Sequence, residues 1–129
     1  MATETDQPGR SIHRLIARTM DFAFEVIRHC GTIRSTAEGR HIAGQLLRSG
    51  SSVGANYRAV RRARSRKEFV AKLGIVIEEA DETLFWLELL GKLNLGDAIG
   101  RQRLVREADE LTSIFVVTRH RARQGTRKE

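Results

Sequence analysis

This sequence has little cysteine, little proline and no long uncharged apolar run. Cys30 is the one cysteine among 129 residues, so no disulfide can form within the chain, and a disulfide-stapled secreted domain is excluded. Pro8 is the one proline, which leaves everything after it free to be helical. Because no apolar run is long enough for a signal peptide or a membrane-spanning helix, we expect a soluble, cytoplasmic protein with no membrane partner.

The charge of the chain, in contrast, is strongly of one sign. The 23 Lys and Arg residues outnumber the 16 Asp and Glu residues, so the formal net charge is +7 and the isoelectric point is near 10.7. Such an excess favours association with polyanions, of which nucleic acid is the leading candidate. The alternative is a surface that is basic without having a polyanionic partner.

Turn residues divide the chain into four segments with helical periodicity. Helices are predicted at about 11–30, 36–62, 66–91 and 97–120, within one domain at 11–121 and between disordered tails at 1–10 and 122–129. Ser35 and Ser65 each stand three residues before a glutamate, which is the capping-box pattern of a helix start. Since no stretch alternates with period two, the sequence predicts an all-α fold, an antiparallel up-down-up-down four-helix bundle.

Helical periodicity also predicts which side chains form the core. In the first helix the expected core positions are Ile12, Leu15, Ile16, Met20, Ala23, Ile27 and Cys30. In the second helix they are Ile42, Ala43, Leu46, Gly50, Val53, Tyr57 and Val60. In the third helix they are Phe69, Val70, Leu73, Val76, Ile77, Ala80, Leu84, Leu87 and Leu90.

The third helix carries a second apolar strip on a different side. Its members are Ile75, Trp86, Leu89 and Leu93. An apolar strip of this kind would be exposed in a monomer, so we interpret it as an oligomer interface. The alternative is that the first or the fourth helix covers it.

Residues 49–54, SGSSVG, contain the G-x-S-x-G pattern of a hydrolase nucleophile elbow. An elbow needs a strand-to-helix turn, an oxyanion hole and a downstream acid and histidine. Ser52 instead falls in a predicted helix, in which Gly50 and Gly54 are interior positions where another backbone approaches closely. No phosphate-binding glycine loop and no metal-ligand spacing of histidines is present. We therefore expect no catalytic residue, no cofactor and no metal.

Six basic residues crowd the end of the second helix and the turn after it. They are Arg58, Arg61, Arg62, Arg64, Arg66 and Lys67. Cations near a helix C-terminus interact favourably with the helix dipole, but six charges exceed what capping needs. The C-terminal segment adds Arg119, Arg121, Arg123, Arg127 and Lys128. We interpret the six residues as nonspecific contacts to nucleic-acid phosphates.

Antiparallel pairing of the second and third helices also predicts one ion pair. With the turn near residue 64, Arg48 lies level with Asp81 and Glu82. The expected pair is Arg48 with Glu82, either within one chain or across a subunit boundary.

Several short motifs together resemble a known bacterial family. QLLRS at 45–49, SVGAN at 52–56, RSRKEF at 64–69 and Glu82 are similar, in order and spacing, to the four-helix-bundle proteins encoded within intervening sequences of 23S rRNA genes. The resemblance implies a homopentameric ring and kinship with the accessory protein of diversity-generating retroelements, which associates with nucleic acid and a reverse transcriptase. It implies no catalytic activity and no cofactor. YRAV at 57–60 departs from the common IAEG pattern, and the missing acid makes this surface more basic.

The function expected from these observations is a non-enzymatic, oligomeric protein that binds RNA or DNA or scaffolds a ribonucleoprotein. A reverse transcriptase is one possible protein partner that the resemblance suggests. The competing expectation is a protein-interaction adaptor whose basic face docks an acidic protein.

Overall fold

The computed structural model describes the backbone of residues 8–128 and the side chains of residues 11–125. Its four helices are α1 (Pro8–Cys30), α2 (Ala37–Val60), α3 (Arg66–Leu93) and α4 (Ala98–Lys128). Each helix packs against the next one along the chain, and α1 also contacts α4. Because the connections are short, neighbouring helices run antiparallel and form a four-helix bundle. The described residues contain no strand, so the prediction of an all-α fold is confirmed.

Three helices are longer than the sequence predicts: α3 ends at Leu93, two residues later than expected, and the differences in α1 and α4 are larger. α1 begins at Pro8, since proline fits the first turn of a helix, where its missing N–H is not needed. α4 continues to Lys128, because the segment after His120 is rich in good helix formers and a single glycine is not enough to end it. The disordered tails predicted at 1–10 and 122–129 are therefore helical at residues 8–10 and 122–128, while residues 1–7 and 129 lie outside the described part.

The helix starts follow from side-chain caps. Thr36, rather than Ser35, caps α2, and its hydroxyl accepts a hydrogen bond from the Gly39 N–H at 2.9 Å. The Ser65 hydroxyl accepts from the Glu68 N–H at 3.0 Å, as the capping-box pattern predicts. The Asp97 carboxylate accepts from the Gly100 N–H at 2.9 Å at the start of α4. Each cap satisfies a backbone donor that a helix start leaves unpaired.

The core contains the predicted faces of α2 and α3, but α1 is rotated from its expected position. Every predicted core residue of α2 is buried, and most of those of α3 are buried as well. In α1, Met20 and Ile27 are 52% and 48% exposed, whereas Phe22 and Val26 are buried. Met20 with Ile27 and Phe22 with Val26 both fit helical spacing, so periodicity alone could not show which pair faces the core. The choice depends on where α2 and α4 lie.

α1 and α2 pack closely along a stripe of small residues. A Cβ atom added to Gly50 would lie 2.7 Å from the Val26 Cγ1 atom, and one added to Gly54 would lie 3.1 Å from the Thr19 carbonyl oxygen. The Cys30 thiol donates to the Ala43 carbonyl at 3.4 Å in the same contact. The small residues of SGSSVG therefore allow α1 to approach the α2 backbone.

α1 and α4 are separated by an open cleft of about 660 Å³. Its buried apolar floor is formed by Phe22 and Leu104, and charged side chains of both helices line its walls. Near one end of the cleft, the Arg18 guanidinium holds the Glu107 carboxylate in two hydrogen bonds, at 2.8 and 2.6 Å. The two helices are thus joined by side-chain ion pairs rather than by close backbone packing.

Candidate nucleic-acid interface

One end of the bundle brings together segments that are far apart in the sequence. The antiparallel order places the start of α1, the α2–α3 turn and the end of α4 at the same end. A hollow of about 380 Å³ there is lined by residues of all four helices, among them Ile12, Val60, Phe69 and Ala122. We define the basic end as residues 11–17, 55–72 and 119–125.

The basic end carries an extreme imbalance of charge. Its cations are Arg14, Arg58, Arg61, Arg62, Arg64, Arg66, Lys67, Lys72, Arg119, Arg121 and Arg123. Against these eleven side chains stands one carboxylate, Glu68. The other described side chains comprise nine Lys or Arg residues and twelve Asp or Glu residues. Among the described side chains, the positive charge is therefore concentrated at one end, and the remainder is slightly acidic.

All six cations predicted as phosphate contacts lie on the surface of the basic end. Four of them, Arg58, Arg61, Arg62 and Arg64, line a shallow hollow of about 460 Å³. Glu68 lies at its edge, where its carboxylate is 4.0 Å from the Arg64 guanidinium and 3.7 Å from the Lys72 ammonium. A single carboxylate cannot neutralise this group, so the hollow is suited to an anionic ligand.

Besides the six predicted cations and the three C-terminal arginines noted in the sequence, the basic end contains two cations that the sequence analysis did not single out. Arg14 is at the start of α1, and Lys72 is one turn after the predicted group in α3. Arg14 could be placed at this end only if the alignment of α1 along the other helices were known. In the sequence, an identifiable turn fixes such an alignment for α2 and α3 alone. The side chain of Arg66 lies against Gly125 of α4, which shows how closely the ends of α3 and α4 approach each other.

The structure also places Arg48 against the acidic residues of α3. Its guanidinium donates to the Glu82 carboxylate and lies 3.4 Å from a Glu79 carboxylate oxygen. The hydrogen bond to Glu82 is the main cause that raises the pKa of Arg48 above its ordinary value. Both contacts are made within one chain.

The apolar strip predicted on α3 is partly exposed. Ile75 and Leu93 are 47% and 45% exposed, while Trp86 and Leu89 are half-buried. Phe85, which the sequence analysis did not include, is also exposed and packs edge-on against Trp86 with ring centroids 4.8 Å apart. Trp86 also packs edge-on against His41 of α2, with ring centroids 5.9 Å apart.

A second exposed apolar strip lies on α1, on the helix diagonally opposite α3. Its members are Met20, Phe24 and Ile27. Periodicity had placed Met20 and Ile27 in the core, and the rotation of α1 moves them to the surface instead. The four-residue and three-residue steps between the three side chains align them along one face.

Ser52 lies inside α2, where it is part of a regular helix. Its hydroxyl donates to the Arg48 carbonyl at 2.7 Å, which is the ordinary bond of a serine within a helix. Asp97 caps α4 at the opposite end of the bundle. The SGSSVG stretch is thus a packing element, and its neighbours do not form a nucleophile elbow.

Other chemistry-bearing residues are similarly dispersed. Within the described part of the chain, no group of three or more His, Cys, Asp or Glu residues is placed to hold a metal ion. His29 is buried beside the α1–α4 cleft, and its Nε2 atom has no hydrogen-bond partner among residues 8–128. None of the helices described is long and apolar enough to cross a membrane.

The fold and this surface define a class of protein, an antiparallel four-helix bundle with a strongly basic end. A sequence model of the family described as "23S rRNA-intervening sequence protein" matches residues 13–116. The chain belongs to this family.

A solved structure agrees with this assignment. The chain is similar to a protein of unknown function from the S23 ribosomal protein family of Bacteroides thetaiotaomicron, with 27% sequence identity and a TM-score of 0.77. The similarity covers 84% of this chain and 97% of that chain. A comparison with curated proteins finds no match.

Proposed function

We propose that this protein is a non-enzymatic cytoplasmic nucleic-acid-binding protein that uses its basic end to hold the phosphate backbone. The observation that carries the proposal is the segregation of charge: at one end of the bundle, the described side chains comprise eleven cations and one carboxylate. Binding neutralises phosphates and releases their condensed counterions, which supplies most of the affinity of nonspecific nucleic-acid binding. Because phosphates are the same at every position, the protein binds without sequence preference.

Self-association would multiply this surface. The exposed strips on α1 and α3 lie on diagonally opposite helices, so the α1 strip of one subunit can meet the α3 strip of the next. Such a contact joins two different surfaces and closes into a ring when the rotation permits. We propose a homo-oligomeric ring, with the pentamer expected from the family resemblance, in which repeated basic ends bind one nucleic acid multivalently and scaffold a ribonucleoprotein.

The test is a titration of labelled duplex DNA and structured RNA at salt concentrations between about 50 and 200 mM. We expect binding that weakens steeply with salt and does not depend on sequence. The triple variant Arg58→Gln, Arg61→Gln, Arg62→Gln should lower both the affinity and the salt dependence, by about one unit of log–log slope for each phosphate-binding cation that is removed. No binding by the wild-type protein at the lowest salt would exclude the proposal.

A matched control variant removes three arginine charges from positions outside the basic end. Arg34, Arg40 and Arg106 are exposed and lie away from the basic end. If the triple variant Arg34→Gln, Arg40→Gln, Arg106→Gln weakens binding equally, net charge rather than the basic end is responsible.

The second candidate function is a protein-interaction adaptor, and the exposed α1 strip favours it. Apolar side chains aligned on one face of a helix are a common docking surface for a protein partner. A pull-down with and without nuclease distinguishes the two functions, because partners that survive nuclease bind the protein itself. Light scattering tests self-association, since a 14.6 kDa species at working concentration would contradict the ring.

A further inference from the structure

We infer that the basic end selects double-helical nucleic acid over single strands. The inference rests on the proposed function and adds the class of nucleic acid that the surface accepts. It follows from the positions of the aromatic and amide side chains, from the width of the basic end and from the charge density of the two ligands.

The first step is the location of the aromatic residues. Proteins that prefer single strands stack exposed aromatic side chains on successive bases. The chain has seven Phe, Trp and Tyr residues, and all lie within the described part. Phe22, Tyr57 and Phe115 are buried, and Phe69 and Trp86 pack against the core. The two that are well exposed, Phe24 and Phe85, lie outside the basic end. Phe69 is half-buried there, so the described part of the basic end has no well-exposed Phe, Trp or Tyr side chain, and its exposed rings are the imidazoles of His13 and His120.

The two amide side chains described in the basic end each make a hydrogen bond within their own helix. Asn and Gln are the residues that read adenine edges. Asn56 donates to the Ser52 carbonyl at 2.8 Å within α2, and Gln124 bonds the His120 ring at 3.0 Å within α4. The side chains that remain to contact a ligand are thus mostly arginine and lysine, which suits the phosphate backbone.

The third step concerns the width of the basic end. Packed helices lie about 8–10 Å apart, so the end of a four-helix bundle is on the order of 20 Å across. Cations reach this end from the start of α1, from the α2–α3 turn and from the last turns of α4. A duplex presents two rows of phosphates across a groove about 12 Å wide. It can therefore contact cations of separate helices at once, whereas a single strand offers one flexible row.

Charge density points the same way. A duplex carries one charge per about 1.7 Å of axis, against about 3.4 Å for each strand, and each neutralised phosphate releases more counterions from a duplex. A surface that binds through phosphates alone therefore gains more from the duplex. A single strand can compensate by stacking its bases on the protein, but among its described side chains the basic end has no well-exposed Phe, Trp or Tyr for this.

The experiment compares a duplex with its own separated strands, at equal length and equal salt, using the full chain. We expect the duplex to bind at least about tenfold more tightly and to show the steeper salt dependence. The variant Arg58→Gln, Arg61→Gln, Arg62→Gln should reduce this ratio, and the control variant at Arg34, Arg40 and Arg106 should leave it unchanged. Circular dichroism of each variant verifies that the bundle is folded.

The possible outcomes separate the inference from the proposed function. If neither ligand binds at low salt, the nucleic-acid function itself fails. If single strands bind as tightly as the duplex, or more tightly, the nucleic-acid function stands and the duplex preference is overturned. If the control variant also reduces the ratio, the preference does not arise from the basic end and the inference again fails.

Discussion

α1 contacts its two neighbours in two different ways, and two consecutive residues show the contrast. Cys30 points into the close contact with α2, where its thiol bonds the Ala43 carbonyl. His29 points toward the open cleft beside α4, where it is buried and its Nε2 atom has no hydrogen-bond partner among the described residues. The α1–α2 contact depends on small residues and is sensitive to volume. The α1–α4 contact depends on charged side chains and is sensitive to ionic conditions.

The largest expected effect concerns the reactivity of Cys30. Burial raises the pKa of its thiol to about 11, and only the thiolate reacts with disulfide reagents. In the native protein at pH 8, labelling should be slower than in the unfolded chain by at least about two orders of magnitude, from ionisation alone. Absorbance of the released reagent measures both rates. Labelling at the unfolded rate would mean that the α1–α2 contact is open in solution.

Added volume should break the same contact. Gly50→Val would place a branched side chain against Val26, where even a Cβ atom lies too close. We expect the free energy of unfolding to fall by about 3 kcal/mol, the upper end of the usual cost of overpacking. Gly44→Val is the matched control, because nothing lies within 4 Å of a Cβ atom there. Equal decreases for both variants, measured by urea denaturation, would show that helix propensity rather than packing is responsible.

The ion pair of Arg18 tests the α1–α4 contact. The hydrogen bond to Glu107 is the main cause that raises the pKa of Arg18, but both side chains are about a third exposed. Solvent therefore screens the pair, and a double-mutant cycle with Arg18→Gln and Glu107→Gln should give a coupling of about 1 kcal/mol. This coupling should shrink at high salt.

The control for this cycle is Arg103→Gln, which removes a charge from the same cleft. A decrease in stability in this control as large as that in Arg18→Gln would mean that general charge balance, rather than the specific pair, holds α1 near α4.

The contrast between the two packing modes explains how much could be predicted from the sequence. The core of α2 was predicted because its seven positions fit one face. The Arg48–Glu82 pair was predicted because a short turn joins α2 to α3 and fixes how the two helices align. The orientation of α1 was not predictable. Phe22 with Val26 and Met20 with Ile27 fit helical spacing equally well, and only the three-dimensional approach of Gly50 to Val26 selects between them.

In the basic end, too, some features could be recognised in the sequence and others depend on tertiary structure. The six cations at 58–67 are consecutive enough to be recognised in the sequence, and all six lie exposed at one end of the bundle. The contribution of Arg14 depends on tertiary structure, because α1 is brought to this end only by the antiparallel topology. The concentration of charge at one end is likewise a property of the fold, since the net charge alone does not say where the cations lie.

The smallest expected effect is the pH dependence that His29 confers. Burial is the main cause that lowers the pKa of His29, Asp97 acts to raise it, and Arg101 acts to lower it. The unfolded chain therefore binds a proton at a higher pH than the folded one. As the pH falls below about 6.5, the ordinary value for histidine, the free energy of unfolding should decrease until the folded-state pKa is passed.

For one titrating group the slope of this decrease cannot exceed about 1.4 kcal/mol per pH unit. The measurement is a set of urea denaturations from neutral to mildly acidic pH, on the wild-type protein and on His29→Gln. The variant should lack this part of the decrease, whereas His41→Gln, which alters an exposed histidine, should retain it. An unchanged slope in His29→Gln would mean that His29 is solvated in solution and that the α1–α4 contact is more open than its buried position indicates.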